Sequence, residues 1–154
     1  MIEQANVVNS ALSHSGAHST DDRMADQKKH IVCIEDDAGI IDLVKLILTR
    51  KGYRVSGAVG GREGLELIER EKPDVVLLDL MMPDMDGWEV FHQMRAHEST
   101  RHIPVIVVTA KAQSIDKVLG LQIAKVDDYL TKPFSPQDLV DSIERILSRG
   151  SSLS

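Results

Sequence analysis

The run Val75-Val76-Leu77-Leu78, closed by Asp79, is the most informative stretch of this 154-residue chain. Four consecutive apolar residues without alternation predict a short strand that is buried on both faces, as in a parallel sheet covered by helices. Two runs of the same kind occur at Ile31-Val32-Cys33-Ile34 and at Val105-Ile106-Val107-Val108. Three such strands favour a parallel sheet at the centre of the protein.

The segments around these runs alternate between helical and strand patterns. Apolar residues at helical spacing predict helices over residues 40–50, 62–71, 87–97, 112–122 and 135–148. Two more polar segments, 53–58 and 126–130, predict strands at the sheet edges. Because strands and helices alternate five times, we predict an α/β fold. Its core is a doubly wound, five-stranded parallel sheet in the order 2-1-3-4-5, with helices on both faces.

The first predicted helix illustrates how these elements should pack. Ile40, Leu43, Val44 and Ile47 have the spacing of one buried helix face. Asp37 precedes this helix and is a candidate for its N-terminal cap. The helix is therefore expected to start close to the end of the first strand.

The composition limits the class of protein. A hydrophobic fraction of 42% with only 3% aromatic residues predicts one domain with an aliphatic core. The net charge of −6 argues against nucleic acid or an anionic membrane as the main partner, because both attract basic surfaces. No stretch approaches the ~18 consecutive apolar residues of a membrane span, and the N-terminus does not resemble a signal peptide. Cys33, the single cysteine, is expected in the core of a cytoplasmic protein.

The N-terminal part of the chain differs from the rest in composition. Residues 1–28 are rich in Ser, Asn, Ala, His and Asp and contain no Phe, Tyr or Trp. We predict a flexible tail over 1–28, one domain over 29–149 and a short tail over 150–154. His14 and His18 have the spacing of a metal-binding pair on a helix, but two solvated histidines are the better interpretation.

Polar side chains follow the predicted strands at one edge of the sheet. Asp36 follows the first strand, Asp79 ends the third, Thr109 ends the fourth and Lys132 follows the fifth. In a doubly wound sheet the crevice lies outside the carboxyl ends of the strands, where the strand order reverses. We therefore expect these four side chains to meet there.

Two carboxylates at this edge would repel each other, and a metal ion would remove the repulsion. At ~4 Å and an effective dielectric constant of ~20, two like charges cost about 4 kcal/mol. Mg²⁺ prefers carboxylate oxygens, waters and phosphate oxygens, so Asp36 and Asp79 are candidate ligands. Glu35 is a third acid, acting directly or through water. The sequence therefore predicts a magnesium site.

Asp79 at such a site is a candidate nucleophile toward phosphorus. Carboxylates form acyl phosphates, and phosphoryl transfer depends mainly on positioning and charge neutralisation. Lys132 would neutralise phosphoryl oxygens and Thr109 would donate a hydrogen bond to them. Taken singly, an aspartate at a strand end is usually a helix cap, a threonine there is usually packed in the core, and a lysine is usually a solvated charge. Their coincidence at corresponding strand ends favours the functional interpretation.

Four motifs stand out, namely Glu35-Asp36-Asp37, Leu78-Asp79-Leu80-Met81-Met82-Pro83-Asp84-Met85-Asp86-Gly87, Thr109-Ala110 and Tyr129-Leu130-Thr131-Lys132-Pro133-Phe134. In order and spacing they resemble the response-regulator receiver domain of two-component signalling. The resemblance covers about residues 30–149 and implies a flavodoxin-like fold. It also implies that Asp79 is the phosphoacceptor. The implied Mg²⁺ ligands are Asp36, Asp79, the backbone carbonyl of Met81 and, through water, Glu35.

The resemblance assigns further roles on the other side of the site. It implies that Lys132 pairs with the phosphoryl group and precedes a cis peptide at Pro133. Thr109 and Tyr129 resemble the switch pair of the family, in which the threonine moves toward the phosphoryl oxygens and the aromatic ring turns inward. The alternative for Tyr129 is an edge-strand aromatic side chain packed on a helix.

One departure from the family pattern, and two further positions, affect other properties. The segment Lys125-Val126-Asp127-Asp128 stands where the family usually has Gly-Ala-Asp-Asp, so the loop before the last strand is expected to differ in shape. Met81 and Lys111 lie two residues past Asp79 and Thr109, where neither can orient a water as a base. We therefore expect slow self-dephosphorylation, with the apolar Met81 shielding the acyl phosphate.

The function expected from these residues is that of a single-domain response regulator. A sensor histidine kinase or phosphotransfer protein would phosphorylate Asp79. Because no effector domain follows Arg149, the output would be a protein contact in trans or a homodimer through the side formed by strands four and five. The protein would not be an enzyme beyond its own phosphorylation and dephosphorylation.

Two alternatives belong to other classes. A phosphatase of the haloacid-dehalogenase type also uses a strand-end aspartate and Mg²⁺, but it carries a second acid where Met81 stands here. A binding module that has lost phosphorylation is the other alternative. The presence of Asp36, Asp79, Thr109 and Lys132 argues against it.

Overall fold

The computed structural model describes residues 28–110 and 126–152. Their strands are β1 (His30–Glu35), β2 (Arg54–Val59), β3 (Val75–Asp79), β4 (Val105–Thr109) and β5 (Asp128–Thr131). Their helices are α1 (Ala38–Arg50), α2 (Gly61–Glu71), α3 (Gly87–Ala96) and α4 (Pro136–Ser152). The predicted tail up to residue 27, the predicted helix over 112–122, Lys111 and Lys125 lie outside these residues.

The strands form one parallel sheet in the order β2-β1-β3-β4-β5. This confirms the predicted doubly wound α/β fold. The three apolar runs are the central strands, and every residue of β1, β3 and β4 is buried. The two more polar strands, β2 and β5, lie at the edges, where one side of the sheet meets water.

Alternate residues of the central strands divide between two hydrophobic clusters, one on each face of the sheet. Val32, Val76 and Val107 belong to the cluster beneath α2 and α3. Cys33, Leu77 and Ile106 belong to the cluster beneath α1 and α4. Burial raises the pKa of the Cys33 thiol to about 12, so this cysteine is an inert core residue, as predicted.

The predicted N-terminal cap of helix α1 is confirmed, but the helix buries a different face from the one predicted. The Asp37 carboxylate accepts hydrogen bonds from the backbone N–H groups of Gly39 and Ile40, at 2.8 and 3.4 Å. The fully buried residues are Ile41, Val44 and Leu48. Leu43, predicted to face the core, is instead 47% exposed. The helix begins two residues earlier than its periodic pattern, and its contact with the sheet selects a different stripe.

Other boundaries differ from the predictions at the C-terminal end. Helix α4 continues to Ser152, beyond the predicted end at residue 148 and into the segment predicted as a short tail. Arg149 in this last part donates to the Asp127 carboxylate at 2.8 Å. The domain limits at 29 and 149 stay predictions. No helix in residues 28–110 and 126–152 has the length and apolar character needed to cross a membrane.

The two aspartates that follow Lys125 and Val126, and that match the family pattern, have a structural role at the start of β5. Asp127 accepts from the backbone N–H of Val105 at 2.8 Å and pairs with Arg95 at 3.4 Å. Asp128 accepts from Ser142 and Arg145, both at 2.6 Å. These carboxylates fix β5 against β4, α3 and α4 at the amino ends of the strands, whereas Asp79 lies at their carboxyl ends.

Candidate functional site

Three carboxylates meet at the carboxyl ends of β1 and β3. Glu35 is the last residue of β1, Asp36 follows it and Asp79 ends β3. One oxygen from each of the three lies within 4.8 Å of the others. Pairing of β1 with β3, with Ile34 opposite Leu78, brings the strand ends together. The structure thus brings together the acids that the sequence placed at this edge.

The three acids differ in their access to solvent. Glu35 and Asp79 are buried, whereas Asp36 is exposed. The set consists of oxygen donors only, which suits a hard divalent cation that keeps some of its water. The exposed Asp36 gives such an ion a path from solvent. The residues present therefore fit the predicted Mg²⁺.

Lys132 closes the site from β5. Its ammonium nitrogen lies 2.8 Å from Oε1 of Glu35 and 3.7 Å from Oδ2 of Asp79. The backbone N–H of Lys132 donates to the carbonyl of Thr109 at 2.8 Å, which fixes the start of the loop after β5. The peptide between Lys132 and Pro133 is cis, as the resemblance implied.

The charges of the site influence each other's ionisation. Burial, with a contribution from Asp79, raises the pKa of Glu35 to about 7, against the effect of Lys132. Burial also raises the pKa of Asp79, opposed by the hydrogen bond from the Met81 N–H. Although burial disfavours the ammonium ion, the Glu35 hydrogen bond raises the pKa of Lys132 above its ordinary value. The site thus holds one permanent cation and an excess of carboxylates, which a divalent ion would stabilise.

Thr109 and Tyr129 lie on β4 and β5, on the side away from the acids of β1. Thr109 is buried at the end of β4, next to Val108, which pairs in register with Asp79. Tyr129 is 42% exposed in the edge strand β5. Both interpretations of Tyr129, as a switch residue and as an edge-strand side chain packed on a helix, stay predictions. The proposed inward turn of the ring stays a prediction.

The loop between β3 and α3 is held very close to Asp79. The backbone N–H of Gly87 donates to the Leu80 carbonyl at 3.1 Å. A Cβ atom on Gly87 would lie 2.3 Å from the carbonyl oxygen of Asp79 and 2.6 Å from Cα of Leu80. Sequence reasoning missed this role, although a glycine directly after the capping Asp86 was the available signal.

Met81 begins this loop. Its backbone N–H donates to Oδ1 of Asp79 at 3.2 Å, which fixes the rotation of the carboxylate. Its side chain is 65% exposed, whereas that of Met82 is buried in the core. Shielding of an acyl phosphate by the Met81 side chain stays a prediction.

Comparison with known proteins agrees with this fold and site. The family model described as the response regulator receiver domain matches residues 31–144. A curated relative, the alkaline phosphatase synthesis transcriptional regulatory protein PhoP of Bacillus subtilis (strain 168), is 42% identical over 121 residues. These cover 79% of this chain and 49% of that protein, so the chain spans about half of that relative's length.

Two solved structures have the same fold. The CheY-like receiver domain protein of Methanospirillum hungatei JF-1 is 34% identical, with a TM-score of 0.73 over 83% of this chain and 100% of that one. The receiver domain of a signal transduction histidine kinase from Syntrophus aciditrophicus is 31% identical, with a TM-score of 0.70 over 78% and 90%. The fold and the strand-end acids define a phosphoacceptor domain of two-component systems. This chain belongs to the response-regulator receiver family.

Proposed function

We propose that this domain accepts a phosphoryl group on Asp79, in a Mg²⁺-dependent reaction, from a histidine kinase or a phosphotransfer protein. The observation that carries the proposal is the cluster of Glu35, Asp36 and Asp79, with the ammonium group of Lys132 beside it. This arrangement pairs a nucleophilic carboxylate with the positive charge that phosphoryl transfer needs.

The Asp79 carboxylate is oriented before the chemical step. Oδ1 accepts the Met81 N–H, so the carboxylate plane is fixed before the donor arrives. A carboxylate oxygen attacks phosphorus, the bond from phosphorus to the donor nitrogen breaks, and that electron pair returns to the donor imidazole. The product is an acyl phosphate on Asp79.

The surrounding groups stabilise the charge on the transferring phosphoryl group. Lys132, already within 3.7 Å of Asp79, can pair with phosphoryl oxygens. The Thr109 hydroxyl is proposed to donate to another of them. Asp36, Asp79, the Met81 carbonyl and, through water, Glu35 would hold Mg²⁺, which when bound neutralises phosphoryl and carboxylate charge.

We propose that the signal leaves through the side formed by β4 and β5. Phosphorylation adds about −1.5 to −2 charge and biases two pre-existing conformations. Thr109 at the end of β4 and the exposed Tyr129 on β5 are the residues proposed to move. A contact in trans, or a homodimer through this side, is the proposed output, in the cytoplasm.

Two alternatives are tested by the same experiment. Family membership and the methionine at position 81 disfavour the haloacid-dehalogenase type of phosphatase. A receiver fold that binds partners without phosphorylation would keep its mass in the presence of a phosphodonor.

The experiment is an intact-mass measurement after incubation with acetyl phosphate and Mg²⁺. The wild type should gain the mass of one phosphoryl group, and Asp79→Ala should not. Turnover of a generic phosphomonoester should be absent in both. An unmodified wild-type mass would contradict the proposal.

A further inference from the structure

Helix α2 starts at a residue that cannot cap it. Its N-cap position is Gly60, which has no side chain and adopts a φ of 103°, a conformation that favours glycine. The first N–H groups of a helix lack partners within the helix, so they need acceptors from elsewhere. A residue distant in sequence provides them.

That residue is Asp84, in the loop between β3 and α3. Its Oδ1 accepts from the backbone N–H of Gly61 at 3.0 Å and its Oδ2 accepts from that of Arg62 at 3.2 Å. These two hydrogen bonds hold the pKa of the Asp84 carboxyl below its ordinary value. The Asp84 carboxylate, which lies in the β3–α3 loop, therefore caps the N-terminus of α2.

The contact leaves little space for a side chain at the two glycines. A Cβ on Gly60 would lie 3.0 Å from an Asp84 carboxylate oxygen, and a Cβ on Gly61 would lie 2.8 Å from Cβ of Met85. The loop is thus seated against the start of α2. Its other end is fixed where Gly87 donates to the Leu80 carbonyl.

The same helix start is also joined to the first strand of the site. The backbone N–H of Gly60 donates to the carbonyl of Glu35 at 3.3 Å. A short series of contacts therefore runs from Glu35 through the start of α2 to Asp84. It links the half of the site on β1 with the loop that follows Asp79.

Hydrogen bonds to the neighbouring strands fix β3 up to Leu80 but not the loop residues after it. Pairing of β3 ends at Leu78 with β1 and at Asp79 with β4, and the Leu80 N–H still donates to the Val108 carbonyl at 3.1 Å, but Met81 lies beyond these contacts. The orientation of the Met81 backbone therefore depends on how the loop is anchored. The anchors in the described residues include the Asp79–Met81 hydrogen bond, the Leu80 N–H bond to the Val108 carbonyl, the Gly87 contact and Asp84, and the side chains of Leu80 and Met82 are buried in the core. Of these, Asp84 is the anchor that joins the loop to α2.

We propose that Asp84 is a positioning residue for the metal site: by fastening the β3–α3 loop to the start of α2, it holds the Met81 backbone carbonyl where Mg²⁺ binds. The inference rests on the proposed function. Asp84 is not itself proposed as a ligand of the phosphoryl group or the ion. Its effect is expected on metal affinity, as for other residues that orient ligands from outside the coordination sphere.

The test compares Asp84→Ala with two other variants. Asp84→Asn keeps one acceptor oxygen and a similar shape. Glu69→Ala is the matched control, because Glu69 is also an exposed acid whose hydrogen bonds, first that from Ser99, lower its pKa. Glu69 also lies on α2, and its replacement by alanine removes the same charge as Asp84→Ala. Each variant is melted in EDTA and in increasing Mg²⁺, and the shift in melting temperature gives an apparent dissociation constant.

Asp84→Ala should raise the apparent Mg²⁺ dissociation constant by about tenfold, Asp84→Asn by less, and Glu69→Ala hardly at all. A merely structural cap would lower the melting temperature in EDTA and leave the Mg²⁺ dependence unchanged. If the apparent Mg²⁺ dissociation constants of Asp84→Ala and Glu69→Ala agree within about twofold, the inference is overturned and the proposed function still stands. A wild type with no Mg²⁺-dependent shift would overturn the proposed function as well.

Discussion

Lys132 and Glu35 form the closest ion pair of the site, with 2.8 Å between Nζ and Oε1. Lys132 is therefore held beside Asp79 rather than on it, since Oδ2 of Asp79 is 3.7 Å away. Glu35 is buried, so this pair compensates a carboxylate that would otherwise lack an opposite charge. We infer that metal binding near Glu35 would free the ammonium group to meet a phosphoryl oxygen.

Replacing Lys132 by alanine should slow phosphorylation of Asp79 by about 100-fold or more, because one preorganised positive charge at the transferring group is lost. The rate is measured by intact mass during incubation with acetyl phosphate and Mg²⁺. Mg²⁺ affinity should be kept or increased, since a competing cation is gone. Lys132→Arg retains the charge, so its phosphorylation rate should lie between those of the wild type and Lys132→Ala. An unchanged rate in Lys132→Ala would contradict this role.

Gly87→Ala should damage both stability and phosphorylation. The new Cβ would meet backbone atoms of Asp79 and Leu80, which cannot move without displacing the end of β3. Overpacking of this kind costs about 1–3 kcal/mol, measured by urea unfolding. Gly39→Ala is the control, because its Cβ would meet only an Asp37 side-chain oxygen at 3.2 Å. Equal stabilities of the two variants would show that the close approach at Gly87 is unimportant.

The structure also predicts how stability depends on pH. His30 is buried, with Nε2 2.8 Å from the Ser56 hydroxyl and 3.1 Å from Glu71. Burial, assisted by Arg54, lowers its pKa below the ordinary 6.5, although Glu71 and Asp74 oppose this. The unfolded chain therefore binds a proton near pH 6.5 that the folded protein does not. The contribution of His30 to stability should therefore fall as pH decreases through this range, whereas the raised pKa of Glu35 acts in the opposite direction.

Urea unfolding of the wild type and of His30→Gln at about pH 7.5 and about pH 5.5 measures this contribution. On acidification the difference in unfolding free energy between the two proteins should shift against the wild type, because the variant has no imidazole to protonate. If that difference is the same at both pH values, His30 makes no pH-dependent contribution.

The lifetime of the phosphorylated state is a further prediction from the sequence. Polar residues at both positions, as in Met81→Asn with Lys111→Glu, should shorten the half-life of phospho-Asp79 by about tenfold or more, because they can orient an attacking water. The half-life is followed by intact mass after the phosphodonor is removed. A half-life no shorter than that of the wild type would reject slow self-dephosphorylation caused by these residues.

The sequence predicted the parts of this protein that depend on pattern. The apolar runs at the three central strands, the polar edges and the acids at the strand ends follow directly from periodicity and topology. These features are local, so neighbouring residues determine them. The gathering of Glu35, Asp36 and Asp79 then follows from the parallel pairing of β1 with β3.

Contacts between distant segments could not be predicted in this way. The pairing of Lys132 with Glu35 depends on side-chain positions at the ends of β1 and β5, which are far apart in sequence. Likewise, the cap of α2 comes from Asp84, which follows a different strand. The exposure of Leu43 is a third case. Which face of α1 is buried depends on the orientation in which the whole helix packs on the sheet.

The most direct measurement of the central claim is the position of the acyl phosphate. The protein is incubated with acetyl phosphate in Mg²⁺ or in EDTA, reduced with sodium borohydride, which converts phosphorylated aspartate to homoserine, and mapped by peptide mass spectrometry. Our account predicts homoserine at position 79 alone, and only with Mg²⁺. Modification at another aspartate, or equal modification of Asp79 in EDTA, would contradict it.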